Sequence, residues 1–482
     1  MKTFSSTMLH EIKTCLLVLG TLVISVGLAA GQTPPEELAT AAQVRSLSPQ
    51  QAAKGLPVKL KGVITYCDEG LNSRFIQDDT TGIYFFGLRS NMPALTAGQA
   101  VELEGITSQG AYAPIIIPAS IKVGGDGKLP EAKPVTGQQL NSGQEDSQFV
   151  QVRGIVRSVR FDQFTKQYWI GLVVDGEKFT AFASQIPATK PEELVDSVVK
   201  VQGVCITLFN NKRQLFGTRL LTPRPSDLTV EQPAPKDPFD IPAQDLSSLL
   251  QFTPQGNQEH RVKLSGTVAY AEPGDAVFIQ NDKAGVYCQT QLSTPLQPGD
   301  QVEVVGFPAK GEYTPVLEDS IYRKVGSGTA PVPVTLTLEE ILSGSNDCRL
   351  IQTSARIIDR TLHGREQFLV LGQDGFTFNA YLGQAENGLG LNALKSGSDV
   401  MATGICLIER GSGWRSGEDS RAKSFRLLLR SPADVVVQSQ PPIWMQFDFK
   451  RTVGVLVAII LVMLLWIVDL YRRIKVPRAQ KA

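Results

Sequence analysis

Histidine, cysteine and the common catalytic motifs are scarce in this chain. Only 3 histidines and 6 cysteines occur among 482 residues, and His260 and His363 belong to no repeated pattern. The sequence also lacks a Cys-x-x-Cys pair, a phosphate-binding glycine loop and a Gly-x-Ser-x-Gly elbow. A hydrolase triad or a histidine-rich zinc site is therefore not indicated. We predict no catalytic residues, no metal ion and no cofactor, with paired carboxylates acting on a sugar as the remaining enzymatic alternative.

The chain has no excess charge of either sign. Its 47 Lys and Arg residues balance 47 Asp and Glu residues, and the pI is about 6.9. Because no global basic surplus draws the protein onto polyanions, the composition argues against nucleic acid as the main partner.

The few cysteines do not form a disulfide framework. Five follow Cys15, an odd number spread over most of the chain. Cys205 and Cys406 occupy matching apolar stretches, which predicts small buried side chains. A bridge between Cys348 and Cys406 is the alternative.

Long hydrophobic runs occur only near the two ends. Lys2 and Lys13 precede an apolar run over 16–30, and small residues follow it. This pattern predicts a signal peptide over 1–31, with an uncleaved anchor as the alternative. Residues 32–42 are then a flexible lead.

The second run, 452–471, carries Asp469 as its one charge. As a helix, its 20 residues span about 30 Å, the thickness of a bilayer core. Five basic residues lie in the tail 472–482, which favours a cytoplasmic C-terminus. We therefore predict a single-pass protein of the cytoplasmic membrane with its main region in the periplasm.

The region between these runs repeats itself after about 200 residues. The string VKLKG at 58–62 returns as VKLSG at 262–266, and FIQDD at 75–79 returns as FIQND at 278–282. A second match relates GVCI at 203–206 to GICL at 404–407. The repeats predict an A-B-A-B order of units, which are 43–132, 133–232, 240–330 and 331–440, with a proline-rich linker at 233–239.

Each unit of about 95 residues contains roughly five strand signals separated by turn residues. Gly62 interrupts a long first strand, which predicts a bend or bulge where a small barrel closes. Ser48 and Pro49 predict the start of a short helix, and Gly55 its end. The predicted fold is mostly β, with four tandem OB-like small β-barrels. An open sandwich is the alternative.

The repeated segments resemble a known family. Residues 57–62, 75–78, 82–84, 98–105 and 112–114 look like the exported sensory region of certain bacterial membrane histidine kinases, closely in units one and three and loosely in two and four. The resemblance implies serial OB-like units followed by a membrane helix. This chain departs from the family because 11 residues follow Tyr471, with no phospho-accepting helix. Signalling would therefore require a separate membrane protein as partner.

The polar and aromatic residues that recur in the repeat are the candidate ligand site. In the Gln-x-Asp pattern, Asp79 and Asp282 with the following glycine predict Asx-type turns. For Tyr112 and Tyr313 the other interpretation is packing in a core or at a rim. For Trp414, which stands among arginines in unit four, it is a solvated hairpin. The candidates for binding a sugar, another small polar ligand or a polysaccharide are Gln77, Tyr84, Tyr112, Gln280, Tyr287, Tyr313 and Trp414.

Together these patterns favour a membrane-anchored extracytoplasmic binding or sensory protein. Two alternatives stay open, namely an envelope protein that binds oligosaccharide or nucleic acid, and a structural spacer or assembly scaffold.

Overall fold

The computed structural model describes residues 37–87, 92–251, 259–363, 366–382, 391, 394–411, 422–441 and 449–475. The predicted signal peptide, Trp414 and the end of the predicted tail lie outside the described residues. The described chain is mostly β and ends in a long helix.

Barrel 1 consists of β1 Pro57–Asp68, β2 Ser73–Gln77, β3 Gly82–Tyr84, β4 Gln99–Ser108 and β5 Ile115–Asp126. Strand β1 pairs with both β2 and β4, β2 pairs with β3, and β4 pairs with β5. A parallel bridge between Phe85 and Ile116 then joins the third strand to the fifth. This closed order, 1-2-3-5-4-1, defines the OB-type barrel.

The same order recurs along the described part of the chain. Barrel 2 contains β6 Lys133–Pro134, β7 Phe149–Asp162, β8 Gln167–Val174, β9 Glu177–Ala183, β10 Val198–Phe209, β11 Leu215–Leu221 and β12 Leu228–Gln232. Barrel 3 contains β13 Ala243–Gln244, β14 Val262–Glu272, β15 Ala276–Gln280, β16 Gly285–Thr290, β17 Asp300–Ala309 and β18 Val316–Ser327. Barrel 4 contains β19 Val334–Thr335, β20 Leu350–His363, β21 Glu366–Gln373, β22 Phe376–Leu382, β23 Asp399–Arg410, β24 Ala422–Leu429 and β25 Val435–Ser439.

Each of these later barrels is also closed. The long first strand pairs with the second and the fourth, and the third strand pairs in parallel with the fifth. The prediction of OB-like barrels is therefore confirmed for the described residues, and the open sandwich is wrong.

Short helices lie before and between the barrel strands. They are Ala41–Arg45, Pro49–Ala52, Gly137–Asn141 and Leu338–Leu342, with 3-10 turns at Pro191–Leu194, Pro225–Asp227, Pro238–Asp240, Leu246–Ser248 and Pro432–Asp434. Ser48 caps the second helix by accepting a hydrogen bond from the Gln51 N–H. The predicted helix start at Ser48 is confirmed.

Gly62 serves close packing rather than the bulge itself. The bulge in β1 lies at Thr65, between Ile64 and Tyr66, three residues beyond the predicted place. A Cβ on Gly62 would lie 2.6 Å from the Gln77 carbonyl oxygen of β2. Glycine therefore lets the strand curve against its neighbour, and the extra residue that bends the strand follows it.

The chain forms two compact units, Met1–Ala234 and Pro235–Ala482. Barrels 1 and 2, the first pair, lie in one unit, and barrels 3 and 4, the second pair, in the other. Each barrel buries its own aliphatic core. Further buried clusters join the members of each pair.

The final helix is Phe449–Lys475. Its segment Val453–Arg473 is long and apolar enough to cross a membrane, in agreement with the predicted span 452–471. Asp469 accepts a hydrogen bond from Arg473 Nε at 2.9 Å, which partners the carboxylate with a cation one turn away.

Candidate functional site between paired barrels

The repeated glutamine connects the two barrels of each pair. Gln77, at the end of β2, accepts a hydrogen bond from the Phe149 N–H at 2.9 Å. Gln280, at the end of β15, accepts one from the Leu350 N–H at 2.8 Å. Phe149 and Leu350 are the first residues of the long first strands of barrels 2 and 4. The side-chain carbonyl of each glutamine therefore satisfies a backbone donor of the neighbouring barrel.

The turn that follows each glutamine is an Asx turn, as the sequence predicts. The residue that forms it stands one position earlier than expected. Asp78 Oδ1 accepts from the Thr80 N–H at 2.8 Å and the Thr81 N–H at 2.9 Å, and Asn281 forms the matching turn. The exposed Asp282 therefore does not build the turn.

The glycine of this turn is required by the neighbouring barrel. A Cβ on Gly82 would lie 1.9 Å from the Ser147 carbonyl oxygen, and one on Gly285 would lie 2.2 Å from the Cys348 carbonyl oxygen. Neither glycine has a positive φ. Close approach of two backbones, rather than backbone conformation, therefore explains why glycine recurs here.

Tyr84 and Tyr287 pack between the paired barrels. The ring of Tyr84 lies 5.3 Å from that of Phe75, and its hydroxyl donates to the Asn72 carbonyl at 2.8 Å. The ring of Tyr287 lies 5.1 Å from that of Phe278. Burial raises the pKa of both tyrosine hydroxyls above the ordinary value.

The two loop tyrosines differ in their surroundings. Tyr112 stacks on Phe209, the last residue of β10, with 5.5 Å between ring centroids and 16° between planes. The last residue of β23, at the matching position in barrel 4, is Arg410. Tyr313, the counterpart of Tyr112, instead lines a cavity.

A repeated Ser-Gly-x-x-Asp motif, which the sequence reasoning missed, stands beside these tyrosines. Gly143 and Gly344 have φ values of 73° and 82°, and a Cβ there would lie 3.0 Å from the Tyr112 hydroxyl and 2.0 Å from the Tyr313 hydroxyl. The 201-residue offset between the two glycines is the signal that could have revealed the motif.

The aspartate of this motif accepts from the fourth strand of its own barrel. Asp146 Oδ1 accepts from the Thr207 N–H at 3.0 Å, and Asp347 Oδ1 accepts from the Ile408 N–H at 2.8 Å. Both aspartate residues are buried, with 9% and 7% of their surface exposed. Each holds the loop that contacts the preceding barrel.

The second oxygen of each aspartate has a different partner in the two pairs. Arg45 Nη1 donates to Asp146 Oδ2 at 3.0 Å, which forms an ion pair. Thr314 Oγ1 donates to Asp347 Oδ2 at 2.5 Å, so that a neutral hydroxyl takes the place of a guanidinium. Ala113 stands at the position of Thr314 in the first pair.

A cavity of about 400 Å³ lies between barrels 3 and 4. This volume falls within the range of small-molecule sites. Of the predicted ligand residues, the structure brings Tyr287 and Tyr313 together here, while Gln280 fastens the barrels nearby. The lining residues are Phe278, Tyr287, Gly311, Glu312, Tyr313, Thr314, Val316, Asp347, Cys348, Leu407, Ile408 and Arg426.

The cavity wall combines rings, carboxylates and one guanidinium among its lining residues. Arg426 Nη2 lies 3.3 Å from Glu312 Oε2, and both side chains are partly exposed. Burial raises the pKa of the Cys348 thiol well above its ordinary value, so the thiol stays neutral. Cys348 and Cys406 are free, so the alternative of a bridge between them is wrong. The described residues contain no cluster of three or more His, Cys, Asp or Glu suited to a metal ion.

The contact between barrels 1 and 2 should weaken at high pH. Burial raises the pKa of Tyr66 to about 12, and the Gln167 Nε2 of barrel 2 donates to its hydroxyl at 3.0 Å. Because the unfolded pKa is about 10, the contribution of Tyr66 is complete below pH 10 and is lost as the pH rises towards 12. We expect a loss of about 2 kcal/mol. Denaturation midpoints of the full chain between pH 9 and 12 measure it, and a Tyr66→Phe variant that keeps the same slope would contradict the assignment.

Comparisons with known proteins do not identify a family for this chain, so the fold is assigned from the strand order described above. No protein-family model matches the chain, and no curated protein matches it. The chain is similar to the OBody AM3L09 bound to hen egg-white lysozyme, with 12% identity over 23% of this chain and 99% of that chain and a TM-score of 0.17. It is similar to a murine DNA-binding protein bound with double-stranded DNA, with 10% identity, coverage of 37% and 97%, and a TM-score of 0.21. A replication protein A heterotrimer bound to single-stranded DNA has 10% identity, coverage of 65% and 96%, and a TM-score of 0.19.

Proposed function

We propose that this chain is a membrane-anchored extracytoplasmic binding protein that holds a small ligand between barrels 3 and 4. The cavity of about 400 Å³ carries the proposal. Its mixture of aromatic faces and a few placed polar groups is typical of small-ligand sites. The apolar segment Val453–Arg473 supports the anchoring part.

The difference between the two pairs supports a site in the second pair. In the first pair, Phe209 covers the ring of Tyr112. In the second pair, the exposed Arg410 stands at the matching strand end, and Tyr313 packs against the barrel 4 core and lines the cavity. Position 410 therefore supplies no ring to Tyr313, and the cavity lies beside this tyrosine.

An Arg410→Phe variant should close the site. The new ring is expected to stack on Tyr313 as Phe209 stacks on Tyr112, and thereby abolish binding. The measurement is the thermal unfolding midpoint of the full chain in detergent with sugars, amino acids, amines, nucleotides and short peptides. A ligand at one hundred times its Kd stabilises the native state by about 2.7 kcal/mol.

The matched control is Phe209→Arg, which opens the corresponding place in the first pair and should leave the ligand response intact. A panel in which no compound shifts the midpoint, or a shift that persists in Arg410→Phe, would count against the cavity as the site.

The extracytoplasmic location is tested by labelling. Phe164, at the β7–β8 turn, is 99% exposed, so a Phe164→Cys variant offers an accessible thiol. We expect a membrane-impermeant maleimide to label it in intact spheroplasts, while a Lys481→Cys control reacts only after lysis. The reverse pattern would place the barrels in the cytoplasm.

A sensory role would add a partner protein in the membrane, as the family resemblance implies. Mild crosslinking of native membranes tests this part, and recovery of no partner would remove it while leaving ligand binding untouched.

A further inference from the structure

We infer that the cavity between barrels 3 and 4 selects an organic cation, of the amine or quaternary ammonium class. This inference rests on the proposed function of the cavity and specifies the chemistry of its ligand. Its basis is the wall of the cavity, together with the internal comparison that the duplicated chain provides.

The wall presents rings and negative charge. The rings of Phe278, Tyr287 and Tyr313 line the cavity together with the carboxylates of Glu312 and Asp347. Aromatic faces attract a positive charge through the ring quadrupole, most strongly where water is excluded. Rings with carboxylates between them are therefore suited to an ammonium group.

Two arginines lie at or beside the cavity, and the Nε atom of each is buried without a hydrogen-bond partner among the described residues. Arg426 pairs with Glu312 at 3.3 Å. Arg349, close by on the same loop, donates to Asn346 Oδ1 at 2.9 Å and to the Asp282 carbonyl at 3.1 Å. The carboxylate of Asp347 accepts from backbone N–H groups and a hydroxyl, which satisfy its hydrogen bonds and leave its charge without a cation among these contacts.

The first pair supplies its own cations at the corresponding places. Arg45 neutralises Asp146 at 3.0 Å. Arg74, which is 2% exposed, acts electrostatically on the Tyr84 hydroxyl. In barrel 3 the residue matching Arg74 is Val277, since both stand just before the repeated Phe-Ile-Gln.

The second pair therefore lacks a guanidinium at these two places and keeps the rings and the aspartate, while Arg349 stands where the first pair has Gln148. In addition, Glu272 and Asp275 act electrostatically on Tyr287, so that further negative charge lies near the aromatic wall. A cation from solution would give Asp347 the positive partner that Arg45 gives Asp146 in the first pair.

The test compares choline with its neutral isostere 3,3-dimethyl-1-butanol, and with glucose as a neutral sugar. Calorimetric titration of the detergent-solubilised full chain measures each Kd. We expect choline to bind at least about tenfold more tightly than the isostere, which is the size of a well-placed cation–π contribution. High salt should reduce the difference.

Two variants at the partly exposed ion pair of Glu312 and Arg426 should change the affinity for choline in opposite directions. Glu312→Gln removes a carboxylate and releases Arg426, so choline binding should weaken by about tenfold. Arg426→Gln removes the competing cation and should tighten binding. A loss of folding would not produce opposite changes. Tyr287→Leu should weaken binding, while the matched Tyr84→Leu in the first pair should not.

The outcomes separate this inference from the proposed function. Equal affinity for choline and its isostere, or no choline binding, overturns the cation assignment. If glucose or another neutral compound then binds and Arg410→Phe abolishes that binding, the cavity remains the ligand site. If no compound binds, or if Arg410→Phe leaves all binding unchanged, both proposals are overturned.

Discussion

Replacing Gly285 by valine should lower the unfolding free energy of the second unit by about 3 kcal/mol, the upper end of the usual cost of overpacking. A Cβ at Gly285 would lie 2.2 Å from the Cys348 carbonyl oxygen and 2.4 Å from its carbonyl carbon. Backbone atoms cannot move aside as a flexible side chain does, so barrel 3 must shift away from barrel 4. That shift would also stretch the Gln280 to Leu350 hydrogen bond of 2.8 Å.

Urea denaturation of the full chain measures the loss, and hydrogen exchange of peptides covering Leu350 locates it at the contact. Gly326→Val is the matched control, because a Cβ there meets its nearest neighbour, Gln301 Cβ, at an ordinary 3.7 Å. Equal stability of the two variants would mean that the close backbone contact between Gly285 and Cys348 does not hold the two barrels together.

Replacing Asp347 by alanine should also cost about 3 kcal/mol. The substitution removes the acceptor of the Ile408 N–H at 2.8 Å and of the Thr314 hydroxyl at 2.5 Å. A buried donor left without a partner costs about 1–3 kcal/mol. Asp347→Asn keeps an acceptor oxygen towards Ile408 and should therefore cost less.

The control is Asp282→Ala, whose exposed carboxylate should contribute less than about 0.5 kcal/mol. The readout is the denaturation midpoint of the full chain together with exchange at the Ile408 amide. A midpoint for Asp347→Ala that matches the Asp282→Ala control would show that the repeated aspartate does not hold this loop. In the first pair, Asp146→Ala should be costly too, because Arg45 would lose its partner at 3.0 Å.

The candidate site could be predicted only in part. The sequence repeat identified several of its residues but did not show which residues of the neighbouring barrel they contact. Gln77 and Gln280 stand out in the sequence as a repeat. Their acceptor role towards Phe149 and Leu350 joins residues 72 and 70 positions apart, and no local pattern encodes such a pairing. The same limit explains Gly82, whose neighbour Ser147 belongs to another barrel.

Tyr112 and Tyr313 show the limit from the other side. Their sequence contexts are equivalent, because each tyrosine stands two residues after a glycine and just before a strand. Their environments diverge because the residue at the matching strand end, Phe209 or Arg410, lies on a strand about one hundred residues away. A cavity whose wall depends on that distant strand cannot be recognised from the loop sequence alone.

The sequence by itself determined the barrels and the long apolar C-terminal helix, because alternation, turn residues and a long apolar run act through neighbours along the chain. Only the tertiary structure decided how barrels join in pairs and where a cavity remains, because those features depend on backbone approach and side-chain volume between distant segments.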